Sequence, residues 1–225
     1  GRLLLAVTAQ LHGYRRIFMD TLELAAYGPV IPVIVIDDVN AAVPLARALV
    51  AGGVRVLEIT LRTAVALRCM EAIVKAVPLP IVGAGTVRSI ADARAAKDVG
   101  CRFAVSPGYV SDIGQACRNL GLPLLPGVAT ASEVMQANLD GYTFLKFFPA
   151  SAAGGIPLLK ALAGPFPDVL FCPTGGISVE TAPQYLALGN VKVCGGSWLT
   201  PADAVGKGDW ARITALARAA GALRA

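Results

Sequence analysis

The feature that most constrains this chain is a repeated alternation. Short apolar runs, many of them rich in β-branched residues, recur at residues 30–36, 54–60, 81–87, 103–107, 122–128, 144–149, 169–174 and 191–195, with starts roughly 20 to 27 residues apart. Helical patterns lie between them. Residues 63–77 carry an apolar stripe at Ala66, Leu67, Met70, Ile73, Val74 and Val77. Thr130-Ala-Ser-Glu133 is a capping-box signature opening a further helix. Ser178 is expected to cap a helix running to Leu188, with Gly189 as its stop, and Pro44 is expected in the first turn of its helix. Strands separated by helices at this spacing imply parallel pairing with right-handed crossovers. Eight such units predict an α/β fold, the (β/α)₈ TIM barrel, in a single domain. An open doubly wound sheet is the alternative, but no G-x-G-x-x-G follows the first run.

With no Pro/Gly/Ser-rich linker, the expected division is an N-terminal extension and capping helix over 1–27, then a barrel over 28–225. A short helix over 20–27 closes the barrel bottom in this reading, and Met19 is an alternative native start. Hydrophobic residues make up 55% and charged residues 16%, ample for a large core. No apolar run is long enough to span a membrane, and residues 3–7 are too short for a signal segment, so a cytoplasmic location without membrane partners is expected. The net charge of +5 is scattered, which argues against nucleic acid and is compatible with small anions or with a plain solvated surface. Five cysteines without a C-x-x-C pair read as reduced, mostly buried thiols. His12 is the single histidine, so histidine triads and histidine-rich metal sites are excluded; proton transfer falls to carboxylate, lysine or water, and neither metal nor cofactor is expected.

In a barrel, chemistry gathers at the C-terminal ends of the strands. In the second run Val56, Glu58 and Thr60 share one face, which places a carboxylate inside the barrel, with Arg62 at the rim. Glu58 is either functional or one half of an ion pair with Arg62. In the sixth run Lys146 shares its face with Phe144 and Phe148. It snorkels at a strand edge, pairs with Glu58 for stability, or is a nucleophile, since burial disfavours the charged form of an amine and the neutral amine forms Schiff bases. Thr86, ending the third run, suits a hydroxyl donor to a bound carboxylate or a simple strand terminus; Pro107, ending the fourth, shapes its loop or touches a ligand. Gly175 and Gly176 follow the seventh run; Gly195, Gly196 and Ser197 end the eighth. Paired glycines at these two places form either tight turns or a phosphate cradle of successive N–H groups.

Taken in order, Glu58-Ile-Thr-Leu-Arg-Thr63, Gly83-Ala-Gly-Thr86, Ser106-Pro-Gly108, Lys146-Phe-Phe-Pro149, Pro173-Thr-Gly-Gly176 and Gly195-Gly-Ser-Trp198 resemble the 2-keto-3-deoxy-6-phosphogluconate (KDPG) aldolase family of class I Schiff-base enzymes. The resemblance runs from about Gly28 to near the C-terminus. It implies a homotrimer of metal-independent barrels that cleave KDPG to pyruvate and D-glyceraldehyde 3-phosphate, as in the Entner–Doudoroff pathway. It makes Lys146 the Schiff-base lysine and Glu58 the general acid/base. It assigns Arg62 and Thr86 to the pyruvate carboxylate and Phe148 to the substrate wall. Thr174 becomes a specificity residue, and Gly175, Gly176, Gly195, Gly196 and Ser197 the phosphate cradle. Tyr109-Val-Ser and Val128-Ala-Thr130, after the Pro-Gly pairs of strands four and five, depart from the family pattern near the site mouth. The alternatives are an aldolase for the galactonate epimer or for 4-hydroxy-2-oxoglutarate, a sugar-phosphate isomerase or epimerase, and a non-catalytic phosphometabolite-binding barrel.

Overall fold

The computed structural model describes residues 20–223. The expectations on residues 1–19, including the role of Met19 as a start and the place of His12, lie outside the described residues. A 3-10 helix over Thr21–Tyr27 comes first. It is followed by β1 (Val30–Ile34), α1 (Val39–Ala51), β2 (Val56–Thr60), α2 (Ala66–Ala76), β3 (Ile81–Gly85), α3 (Ile90–Asp98), β4 (Phe103–Val105) and α4 (Ser111–Asn119). Next come β5 (Leu124–Leu125), β6 (Gly127–Val128), α5 (Ala131–Leu139), β7 (Phe144–Phe147), α6 (Gly155–Ala163), β8 (Leu170–Pro173) and α7 (Ala182–Leu186). The chain ends with β9 (Cys194–Gly196), α8 (Ala202–Lys207) and α9 (Trp210–Gly221).

The strands form a curled, all-parallel arrangement in two sheets, one ordered β5-β4-β3-β2-β1-β9 and the other β6-β7-β8. The fifth expected strand is therefore two short segments. Pro126 separates them and has no N–H to continue a ladder, although its carbonyl accepts from Lys146 N–H at 2.8 Å. Isolated parallel bridges, Phe171 to Val191 and Thr174 to Gly195, link β8 to the β9 segment.

Burial alternates along each strand. Val56 of β2 and Phe144 of β7 join Ile31, Ile81, Phe103, Leu125, Cys172 and Val193 in an inner cluster. Leu57 and Ile59 face outward into a cluster with Leu45, Leu49, Met70 and Ile73 of the covering helices. Leu145 and Phe147 face a second outer cluster with Leu159 and Ala182. Parallel strands with both faces covered read as nearly continuous apolar runs, which is why a period-2 polar signal is absent from most of them. Asp20 caps the 3-10 helix by accepting from Leu22 N–H at 3.1 Å, and Leu24 and Ala25 of that helix complete the inner cluster at the start of the strands. No helix among the described residues is long and apolar enough to cross a membrane.

Three local expectations change. Ser178 does not cap a helix: its N–H donates to Thr181 Oγ1 at 2.9 Å, and α7 begins only at Ala182, next to Pro183. Gly189 is not the stop, because α7 ends at Leu186 with Ala187 as cap. Pro44 lies inside α1 rather than in its first turn; Asn40, one turn earlier, is exposed, so the carbonyl that Pro44 cannot serve is open to water. The capping box does form. Thr130 Oγ1 accepts from Glu133 N–H at 3.3 Å, and the Glu133 carboxylate accepts from Thr130 N–H at 3.0 Å. Thr130→Ala removes one half of that exchange and is expected to cost about 1 kcal/mol. That corresponds to a drop of about 2–4 °C in thermal midpoint, read by circular dichroism, and an unchanged midpoint would mean the cap contributes nothing.

Candidate active site

The alternation that sends Leu57 and Ile59 outward sends Glu58 inward, and the same parity on β7 sends Lys146 inward between Leu145 and Phe147. The two strands lie far apart in the sheet order, yet their side chains meet. Lys146 Nζ donates to Glu58 Oε1 at 3.2 Å, and each residue is only 3% exposed. The Glu58 carboxylate pairs with Lys146 and not with Arg62. Two charges removed from water to this extent cost several kcal/mol each unless each satisfies the other. Among the described residues, no fully buried side-chain nitrogen or oxygen is left without a partner.

One glycine makes room for the pair. A Cβ on Gly85 would land on the Glu58 carboxyl group, and Gly127 is the register partner of Lys146 on the neighbouring strand. Phe148 lies just past the end of β7 and turns back, its ring centroid 5.1 Å from Lys146 Nζ, in the range of a cation–π contact for the charged amine. Cys172, register partner of Lys146 on the other side, is buried in the inner cluster. Burial pushes its thiol up to about 12; Glu58 pushes in the same direction and Lys146 opposes.

Above the pair, Arg62 Nε donates to Thr86 Oγ1 at 3.2 Å. Thr86 holds φ at 61°, a left-handed conformation that a β-branched residue seldom adopts; such strain persists where the surroundings impose it, commonly at functional sites. Arg62 is exposed and Thr86 half-buried, so a guanidinium and a hydroxyl stand together at the rim. Pro107 is half-buried, and a Cβ on Gly127 would strike its carbonyl. Thr174 is buried and bridges Gly195, where a Cβ would strike the Thr174 side chain; a Cβ on Gly196 would strike the Trp198 ring. Gly195 and Gly196 thus lie inside β9 as close-packing positions, whereas Gly175 and Gly176 form a turn with φ of 101° and 71° that favours glycine. Ser197 is exposed just beyond β9. A cavity of about 530 Å³ lies elsewhere, lined by Asp20, Arg118, Leu122 and Tyr142, and takes in none of these residues.

The model of the family described as KDPG and KHG aldolase matches residues 23–216. The chain belongs to that aldolase family. A relative from Pseudoalteromonas atlantica named 2-dehydro-3-deoxy-phosphogluconate aldolase is 52% identical over 198 residues, 88% of this chain and 92% of its own length. An Escherichia coli relative named KHG/KDPG aldolase is 52% identical over 193 residues, 86% of this chain and 91% of its own. Among solved structures, KDPG aldolase from Legionella pneumophila superposes with a TM-score of 0.88 at 46% identity, over 90% of this chain and 98% of its own; there, pyruvate was captured as a covalent carbinolamine.

Two features escaped the sequence reading. The need for glycine at Gly85 shows only when Glu58 is folded across it, and Cys172 shows as a neighbour of both charges only in the strand register. All five cysteines are buried, and none of them forms a disulfide. Burial pushes the thiols of Cys101 up to about 12 and Cys117 up to about 11, and raises Cys69 as well. The unfolded chain ionises these thiols near their ordinary value of 9.0 while the native state keeps them protonated, so their contribution to stability is complete below about pH 9 and is lost as pH rises toward 11–12. Two readings check this. Ellman's reagent is expected to find essentially no thiol in the native protein and five after denaturation, and the urea midpoint is expected to fall from pH 8 to about pH 10.5. A native protein that titrates readily, or a midpoint indifferent to pH, would contradict the burial.

Proposed function

We propose that this chain cleaves 2-dehydro-3-deoxy-6-phospho-D-gluconate to pyruvate and D-glyceraldehyde 3-phosphate through a Schiff base on Lys146. The observation that carries this reading is the buried contact of 3.2 Å between Lys146 Nζ and Glu58 Oε1. An amine in water-poor surroundings beside a carboxylate has both the nucleophile and the proton carrier that imine chemistry requires.

The reaction runs as follows. Lys146 gives its ammonium proton to the Glu58 carboxylate, the neutral amine attacks C2 of the keto acid, and the carbinolamine loses water, with Glu58 moving the protons. The iminium is an electron sink. When Glu58, directly or through a water, takes the C4 hydroxyl proton, the C3–C4 bond breaks; its electron pair enters the enamine and C4 leaves as the aldehyde of glyceraldehyde 3-phosphate. Protonation at C3 and hydrolysis of the resulting imine release pyruvate and restore the amine. Arg62 and Thr86 hold the carboxylate, Phe148 and Pro107 line the chain of the substrate, and Thr174 acts on selectivity. Gly175, Gly176, Gly195, Gly196 and Ser197 hold the phosphate, so that binding at a remote end positions the reacting carbons.

The framework for this site is a closed (β/α)₈ barrel over residues 28–225, with β5 and β6 as one strand interrupted at Pro126. The bridges from β8 to the β9 segment, the pairing of β9 with β1 and the bond from Lys146 N–H to Pro126 O support that closure. The 3-10 helix over Thr21–Tyr27 caps it at the start of the strands. The family reading also carries a homotrimer in the cytoplasm, acting on a small phosphorylated keto acid.

Pyruvate with borohydride is expected to inactivate the enzyme and leave one reduced adduct, which peptide mass spectrometry finds on Lys146. An active enzyme with no adduct there would end the Schiff-base assignment. Glu58→Gln preserves shape but carries no proton at the carboxyl oxygen, and turnover is expected to fall by about 100-fold or more in a pyruvate-release assay. Native turnover in that variant would remove Glu58 from the scheme.

A further inference from the structure

The turn after β8 is held by the turn after β7, through donors that lie outside the assigned site residues. Ala150 N–H donates to Thr174 O at 2.8 Å, and Ser151 N–H donates to Gly175 O at 3.0 Å. The Ser151 hydroxyl then donates to Gly176 O at 2.9 Å. Three successive carbonyls are thus drawn to one side by two adjacent residues. The peptides after Gly175 and Gly176 are trans, and in a planar trans peptide the N–H points opposite to the C=O. Holding the Gly175 and Gly176 carbonyls toward Ser151 therefore turns the N–H groups of Gly176 and Ile177 to the opposite side. Neither N–H has an acceptor among the described residues. Successive N–H groups presented together are the elements of an anion nest. The fit is close: a Cβ on Gly176 would come within 2.6 Å of Ser151 Oγ, so this glycine and this serine occupy one another's space.

We propose that Ser151 is a positioning residue for the phosphate end of the substrate: its hydroxyl, bonded to Gly176 O, fixes the direction of Ile177 N–H while its own N–H fixes that of Gly176. The proposal rests on reading the Gly175–Gly176 turn as the phosphate site. It needs no contact between Ser151 and substrate. The Phe148–Ala150 segment that follows Lys146 runs into Ser151, so the loop leaving the lysine strand also sets the anion turn of the next strand, and the two ends of the site are built by one stretch of chain.

Ser151→Ala removes only the hold on Gly176 O, because the N–H bond to Gly175 O survives. The experiment compares kcat and KM for the phosphorylated keto acid and for its unphosphorylated counterpart in the wild type, Ser151→Ala and Ser151→Thr. The expected result is a fall of about fivefold in the ratio of kcat/KM for phosphorylated over unphosphorylated substrate in Ser151→Ala, the scale of one hydrogen bond made in competition with water. The fall sits in KM, and Ser151→Thr, which keeps the hydroxyl, restores the ratio. If the wild type prefers the phosphorylated substrate and Ser151→Ala keeps the same ratio, or loses equally on both substrates, the role of Ser151 is overturned and the phosphate reading stands. If the wild type shows no preference for the phosphorylated substrate, the phosphate reading of the turn fails and this inference fails with it.

Discussion

One contact organises this molecule: an ammonium-bearing side chain and a carboxylate, removed from water together, at the centre of a sheath of parallel strands. Neither Lys146 nor Glu58 is tolerable alone at 3% exposure, because the desolvation of either charge far exceeds what stray dipoles return. Each is the condition for the other. Their strands stand on different parts of the sheet order, so the pair also fixes how far the sheet must curl for opposite strands to face one another.

The surroundings of the pair are governed by volume more than by polarity. Gly85 keeps the space that the Glu58 carboxyl occupies, and Gly127 lies beside the lysine backbone. Phe103, Phe144 and Leu125 fill the lumen below, so the site has a packed floor rather than a pore. A Cβ on Gly85 would displace the carboxyl, and in the proton-carrying role proposed for Glu58 a misplacement on the order of 1 Å costs about 100-fold in rate. The rim is built differently. There Arg62, the strained Thr86 and the Gly175–Gly176 turn present donors outward, and neighbouring loops rather than burial hold them in place.

Much of this was legible in the chain, and the failures have causes. Parity along the second and sixth runs placed Glu58 and Lys146 on interior faces, because successive side chains of a regular strand point to opposite faces. The Thr130–Glu133 capping box was legible because it is a local exchange between residues three apart. The supposed cap at Ser178 failed for a related reason. Its hydroxyl donates to Glu180 and its N–H to Thr181, so a local turn competed with the helix and won. The fifth strand read as one run because apolar content on both sides of Pro126 hides the missing N–H, while pairing counts donors.

The sequence by itself determined the strand–helix order, the side of each strand on which each residue sits, and the chemical identity of the groups at the strand ends. These depend on local periodicity and on side-chain chemistry, which short stretches of chain specify. Only the tertiary structure decided that Glu58 meets Lys146 rather than Arg62, that Arg62 meets Thr86, that Gly195 and Gly196 yield space to Thr174 and Trp198, and that Ser151 holds the turn one strand away. The pair is 88 residues apart in sequence. Contacts of that range depend on register and curl, which arise from the packing of all the strands at once and leave no mark in any single segment.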